Sequence, residues 1–298
     1  MAEPKVETIS KIEIQTYHLP PTRLIPNSPH RPLIYYPGLL HLLKDPQKSP
    51  VDNNHHSPLD PTRLATIAYD TFTSNDWDVQ WIYRYGRTQR SHYHSSVHEC
   101  MAVLSGSATI RFGIADGEAD GGPGAGRGAN SPTSTHDPPS FKGVFIHARA
   151  GDVFVLPAGV AHKTYDTEPN AEFALLTPGD GHRIEVPPDS SSTSAASTSV
   201  DADTTAPSSS GSPSDGSASV NTSAAARKRN AVITTPLSGF TMLGAYPKVT
   251  HDGSPDPGEW DFATGGEDVG RYERVWSVNK PARDPCLGDS EKGIGGLW

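Results

Sequence analysis

Gly86-RTQRS-His92-Tyr93-His94-SSVH-Glu99-CMAVLS-Gly106 is the stretch on which the reading of this chain turns. His92 and His94 are one residue apart, so on a strand both imidazoles project from the same face. Ser95 to His98 can form a tight connection, after which Glu99 opens a new strand. Counting by twos puts Met101 and Val103 beside Glu99 and turns Cys100, Ala102 and Leu104 away. A second stretch, Gly151-DVFVL-Pro157-Ala158-Gly159-VA-His162, reads as a turn, a strand over 152–156 and another turn. Proline presets φ and glycine tolerates positive φ in that second turn. His162 then begins a returning strand, with Thr164 and Asp166 following on its face.

Three imidazoles and one carboxylate suit borderline divalent metals such as Fe, Mn, Ni, Cu or Zn. On a six-coordinate ion, four protein ligands leave two positions for water, substrate or dioxygen, which opens metal-assisted chemistry. The bland alternative is a barrel core with satisfied histidines. Converging these groups in an apolar barrel is costly without an ion or hydrogen-bond partners.

Composition limits the rest. The chain has 298 residues, 34% of them hydrophobic, with 28 Gly and 28 Pro, so it is rich in turns and irregular segments. A net charge of -9 argues against general nucleic-acid binding, which needs a basic surface. No apolar run approaches the ~18 residues of a transmembrane helix. The opening MAEPKVETIS has no apolar core of a secretory signal. Cys100 and Cys286 are the two cysteines, read as free thiols in a reducing compartment. A cytoplasmic protein that touches neither membrane nor nucleic acid is expected.

Outward from the centre, Ile12, Ile14, Tyr17 and Leu19 suit an edge strand, and Pro32-LIYY-Pro37 a brief extended segment. The loop at 44–63 holds His55-His56, adjacent side chains that read as solvated rather than as ligands. An apolar–polar pattern resumes from Leu64 to Phe72, and Asn75-Asp76 marks a turn. Trp77, Val79, Trp81, Tyr83 and Tyr85 occupy alternate positions and share one strand face. Core packing is the plain reading of that face, and pocket lining by Tyr83 or Tyr85 the functional one. His98 reads as outward or at the rim, with a second reading as a base beside Glu99 or an alternative ligand.

Residues 116–140 contain no aromatic and no branched aliphatic residue, and 187–230 are dominated by Ser, Thr, Ala, Pro and Asp. Neither segment buries enough apolar area to offset its ordering entropy, so both read as disordered insertions. Arg227-Lys228-Arg229 is too short for a nucleic-acid contact, and Asn221-Thr222-Ser223 fits a glycosylation pattern that an intracellular protein would not use. Gly239-FTMLGAY-Pro247 reads as the strand a barrel needs to close. Trp260, Phe262, Tyr272, Val275, Trp276 and Trp298 belong to an irregular arm on the barrel's outside or against a second subunit.

Spelled out, the two stretches read G-x5-H-x-H-x4-E-x6-G and G-x5-P-x-G-x2-H. They resemble the two motifs of the cupin superfamily, with Asp166 where that pattern often has Asn. Ile25-Pro-Asn before Leu33-Ile-Tyr, HYHSSVHE and the late Gly-Ala-Tyr-Pro are similar to the YjlB-like cupins. The resemblance implies an all-β, double-stranded β-helix (RmlC-like jelly-roll) barrel with His92, His94, Glu99 and His162 as metal ligands. It implies one single-domain cupin over 12–298, with its core at about 64–186 plus 231–250 and irregular N- and C-terminal arms. It also implies one divalent metal ion per chain, iron favoured over Mn, Ni, Zn or Cu, and a homodimer. The function expected is a metal-dependent oxidoreductase of dioxygenase type acting on a small oxygen-bearing molecule. Decarboxylase and isomerase chemistry stand close behind. Tyr83, Tyr85 and His98 are the candidate catalytic groups, with Arg84 as a further pocket group. The alternative is a non-catalytic cupin that binds metal or a small molecule, and an interaction protein using the 187–230 segment is the third reading.

Overall fold

The computed structural model describes residues 11–43, 60–87, 89–118, 141–186 and 223–298. Among the described residues ten strands form two antiparallel sheets. The larger sheet holds β1 (Gln15–Tyr17), β2 (Leu33–Tyr36), β3 (Trp77–Tyr85), β4 (Glu99–Ser105), β7 (Val153–Leu156), β9 (Ala174–Leu175) and β10 (Phe240–Pro247). Their spatial order is β1-β2-β7-β4-β10-β3-β9. The smaller sheet has β5 (Ser107–Phe112) between β6 (Val144–Arg149) and β8 (His162–Glu168). β1 and β2 thus extend the sheet from residues well before 64.

Alternation along the strands builds two cores. Met101 and Val103 of β4, Phe154 and Leu156 of β7, and Met242 of β10 point toward the smaller sheet, where they meet Ala108, Ile110 and Phe112. This interior between two antiparallel sheets fits a β-barrel jelly roll. Cys100, Ala102, Leu104, Val153, Val155, Leu243 and Ala245 point the other way into a second core. A sheet covered on both faces needs apolar residues at every position, which is why β7 reads as the unbroken run VFVL.

That second core lies under helices, so the chain is not purely β. Helix α2 (Pro61–Ser74) follows the short α1 (Leu39–Leu42) and starts at Asp60, whose carboxylate accepts from Thr62 N at 3.2 Å with Pro61 next in line. It buries Leu64, Ile67, Ala68 and Phe72, a spacing of three and four rather than two. Helix α3 (Ala224–Ile233) is a correction to the disorder expected through residue 230. Ser223 Oγ caps it through Ala226 N, its alanines favour helix, and it is tied to α2 and β3. Arg229 grips Asp70 through two bonds at 2.6 and 2.7 Å, and Lys228 reaches Asp78 at 2.7 Å. The basic triplet at 227–229 therefore serves packing.

Residues 116–118 also depart from the expected disorder and form a 3-10 turn. Asp116 accepts from Lys163 at 2.7 Å, from Arg111 and from Ser91 N, while Glu118 accepts from Thr22 Oγ1 and Leu24 N. The rest of that insertion, residues 187–222 and the His55-His56 pair lie outside the described residues.

Strand β3 breaks its own period. Opposite Gly244 and Ala245 of β10 the partners are Trp81 and Val79, so Gln80 is left over as a bulge. Trp77 and Val79 consequently face the helices with Ile82, whereas Trp81, Tyr83 and Tyr85 face the interior. The single five-residue face read from sequence is split in two. Gly244 sits where a Cβ would run into the Trp81 indole.

The C-terminal arm packs on the outside through α4 (Tyr272–Trp276) and α5 (Ile294–Leu297). Asp284 is fully buried and accepts from Tyr36 OH, Cys286 N, Leu287 N and Ile294 N. Cys100 and Cys286 are free, buried and in contact, and burial pushes both thiols up. Among the described residues no helix is long and apolar enough to cross a membrane.

Candidate metal centre

His92 and His162 face each other through paired backbones: His92 N donates to His162 O at 3.2 Å and His162 N to His92 O at 2.9 Å. Their rings lie 4.3 Å apart. Between His92 and His94, Tyr93 turns outward, is fully buried and pairs with Ala263 of the C-terminal arm. This pairing holds both histidines inward. Glu99, at the start of β4, shares the interior face with Met101 and lies 3.3 Å from His94 Nε2 and 3.6 Å from His162 Nε2. The structure thus brings His92, His94, Glu99 and His162 to one place.

Each imidazole turns its Nδ1 toward a backbone carbonyl: His92 to Arg90 O at 3.3 Å, His94 to Asp261 O at 2.5 Å, and His162 to Val160 O at 3.5 Å. With Nδ1 as the donor, Nε2 carries the lone pair, the state in which histidine ligates metal. His94 Nε2 and Glu99 Oε1 then bring two lone-pair atoms together, which needs a proton or a cation between them. Glu99 Oε2 is buried with no hydrogen-bond partner among the described residues. An orphaned anionic oxygen facing imidazole nitrogens fits a bound cation.

The electrostatics agree. Burial raises the Glu99 carboxyl, but His94 above all, then His162 and His92, outweigh it and bring it down to about 2. Burial lowers His94, yet the Glu99 charge and hydrogen bond overcome that and raise it. Burial and the neighbouring imidazoles lower His92, and burial lowers His162. The shifts favour an anionic Glu99 beside His92 and His162 held toward their neutral, metal-ligating form.

Among the described residues no group of three or more His, Cys, Asp or Glu side chains is drawn in tightly enough to hold a metal ion as it stands. Two ligands at right angles on one ion, each about 2.1 Å from it, stand about 3.0 Å apart. The 3.3 and 3.6 Å contacts exceed that by a few tenths of an ångström. Side-chain rotation of that size would bring Glu99, His94 and His162 within reach of one ion, and the chemistry of the donors fits a divalent metal.

The cluster floors a cavity of about 110 Å³. Tyr83 and Tyr85 line it with Trp81, Phe173, Trp260 and Phe262. Arg84 does not: it turns outward to Glu172 O and Ser238 Oγ. Nor does His98, which stands just before β4 and is fully buried beneath the C-terminal arm. Its Nδ1 accepts from Ala158 N at 2.9 Å, so its Nε2–H donates to Asn279 O at 3.1 Å, and its ring lies 4.8 Å from Trp298. Alternation did turn His98 from the metal side; what it misses is the arm that buries it. A larger hollow of about 690 Å³, beside His147 and Arg149, is not lined by His92, His94, Glu99 or His162.

Tyr246 escaped the sequence reading. Its hydroxyl donates to Glu99 Oε1 at 2.8 Å and accepts from Trp81 Nε1 at 3.1 Å. Alternation within FTMLGAYP puts Phe240, Met242 and Tyr246 on one face, but only the non-local pairing of β10 with β4 brings that face to Glu99.

Comparison with known proteins agrees with this geometry. The Cupin family matches residues 88–205. The uncharacterised protein YjlB of Bacillus subtilis (strain 168) is 28% identical over 170 residues, 56% of this chain and 71% of that protein. No solved structure matches the chain.

Proposed function

From the Cupin match over residues 88–205 and the likeness to YjlB, we propose that this chain is a cupin and a metal-dependent enzyme acting on a small oxygen-bearing molecule, with dioxygenase chemistry favoured over decarboxylation or isomerisation. The observation that carries the reading is Glu99 Oε2, a buried carboxylate oxygen without a hydrogen-bond partner among the described residues, set against three inward histidines. His92, His94, Glu99 and His162 would hold one divalent transition-metal ion, iron favoured, with Mn, Ni, Zn and Cu accepted by the same donors. Such an ion supplies Lewis acidity toward an oxygen of the bound molecule.

The remaining work falls to the chain. Backbone carbonyls at residues 90, 160 and 261 hold the Nδ1 protons and orient the rings. Tyr246 holds Glu99 Oε1 and so fixes the carboxylate plane. Tyr83 and Tyr85 line the space for the ligand together with the surrounding rings. Two copies of the chain are expected to pair, as cupin barrels commonly do.

Elemental analysis of purified wild type beside His94→Ala, followed by dioxygen-consumption assays across a substrate panel, tests the reading. Near-stoichiometric iron that is lost in the variant, with substrate-dependent oxygen uptake, is expected. Stoichiometric zinc without turnover would instead give a non-catalytic binding cupin. No metal in either protein would sink the proposal.

A further inference from the structure

Exposure orders the lining of the cavity from floor to rim. Glu99, His94, His162 and Tyr246 are buried, and Tyr83 and His92 are half-buried. Phe173 and Phe262 stand at the other extreme, 53% and 54% exposed. A side chain that lines a cavity and also faces bulk water stands at its mouth. Among the described residues five large hydrophobic side chains are exposed, and two of the five are at this one opening.

Neither ring is loosely placed. Phe173 stacks on Tyr83 at 5.2 Å, 12° from parallel, and meets Tyr85 in a T-shape at 5.9 Å. Phe262 stacks on His92 at 4.4 Å and 17°. Both neighbours of Phe262 are pinned. The Asp261 carboxylate accepts from Ser95 N at 2.8 Å, and Ala263 exchanges backbone bonds with Tyr93 at 2.8 and 3.1 Å. A ring with one face stacked on the wall and half its surface exposed turns its other face to water. Two such faces serve no core, and apolar surface held in water around an opening marks a place for a ligand to cover.

The space below limits what that ligand is. A volume of about 110 Å³ is smaller than the ~150 Å³ cavity that takes up benzene and well under the ~300 Å³ at which pockets bury a whole drug-sized ligand. It holds the head of a molecule and leaves the rest outside. Imidazoles and the Glu99 carboxylate at the floor, with the ion proposed for them, suit a head that carries oxygen. Two phenyl faces at the mouth suit a body without charge.

We propose that the ligand is an amphiphile, with an oxygen-bearing head in the cavity and an apolar tail that leaves through the mouth and lies against Phe173 and Phe262. The head rests on the metal reading of the floor; the site of the tail stands on the two rings.

Calorimetric titration of the full chain, loaded with zinc, tests this with acetohydroxamate, hexanohydroxamate and 6-hydroxyhexanohydroxamate. The three share one metal-chelating head, so their affinities differ through the tail. A fully buried methylene is worth about fourfold, and with four of them partly covered hexanohydroxamate is expected to bind roughly tenfold more tightly than acetohydroxamate. It is also expected to bind more tightly than its hydroxyl-ended analogue. In the double variant Phe173→Ser with Phe262→Ser the first ratio is expected to fall toward one. Taking the ratio within one protein cancels any change at the floor. Equal wild-type affinity for the two unsubstituted hydroxamates, or an unchanged ratio in the double variant, would overturn the proposal. Should the double variant fail to fold, Phe173→Ser alone, which touches no histidine, gives the same reading. Zinc content of the same samples separates the two proposals. Protein without zinc that still prefers hexanohydroxamate sinks the metal centre and leaves the tail site standing. Zinc-replete protein indifferent to the tail does the reverse, and protein that takes neither zinc nor any hydroxamate overturns both.

Discussion

Tyr246→Phe removes one hydroxyl and with it both the bond to Glu99 Oε1 and the acceptor of Trp81 Nε1. Partners that orient a ligating carboxylate are worth about 10- to 100-fold in metal affinity. Chelator competition should therefore show metal held at least tenfold more weakly, with the fold intact by circular dichroism; unchanged affinity would remove Tyr246 from the centre. His98 governs a different property. Burial, then Arg31, lowers its pKa to about 3, while an unfolded chain takes up the same proton near pH ~6.5. Its contribution to stability is full above about pH 6.5 and is lost progressively as pH falls toward 3, because the unfolded chain then binds a proton that the fold refuses. Urea midpoints should drop across that window, and drop less steeply in His98→Gln; equal slopes would clear His98. At this scale the sequence was legible where neighbours are local. One-residue spacing placed His92 and His94 together and alternation set Glu99 inward. The partners of His98 come from Arg31, Asn279 and Trp298, hundreds of positions away in part, and no spacing rule reaches them.

Strand β10 is the element most sensitive to a single methyl group. Gly244 lies under the Trp81 indole with no room for a Cβ, at the point where Gln80 bulges out of β3. Gly244→Ala forces the ring or the strand aside, and overpacking of this kind costs about 1–3 kcal/mol. The loss should appear in denaturant unfolding together with a smaller uptake of metal, since Trp81 supports Tyr246. An alanine variant as stable as wild type would show that the indole moves freely. The strands were readable because period two and turn residues announce them. The bulge was not, since one extra residue in WDVQWIYRY leaves the alternation of large side chains looking intact. Helix α3 was hidden for another reason: its alanines and basic residues look like the Ser-rich stretch before them, and its partners Asp70 and Asp78 belong to other elements.

Across the whole molecule, the last forty residues reach back to the first. Asp284 gathers four donors in a fully buried position, one of them from β2 and three from the arm itself. Asp284→Ala orphans all four, and with about 1–3 kcal/mol for each buried group left unmet the variant should lose most of its folding stability. Thermal unfolding checks this; a near-native melting temperature would mean that the arm holds by other contacts. Composition alone led us to an arm beside the barrel. The pairing of Tyr93 with Ala263 makes that arm a wall of the cavity, because Asp261 and Trp260 ride on the same stretch. Filling the cavity then also steadies the stretch of arm that forms its wall. Whatever binds at a concentration one hundred times its dissociation constant adds about 2.7 kcal/mol to the docked state. A protease probing the bonds near residue 260 would cut the filled protein up to roughly a hundredfold more slowly than the empty one, so the cavity's ligand can be sought by what it protects.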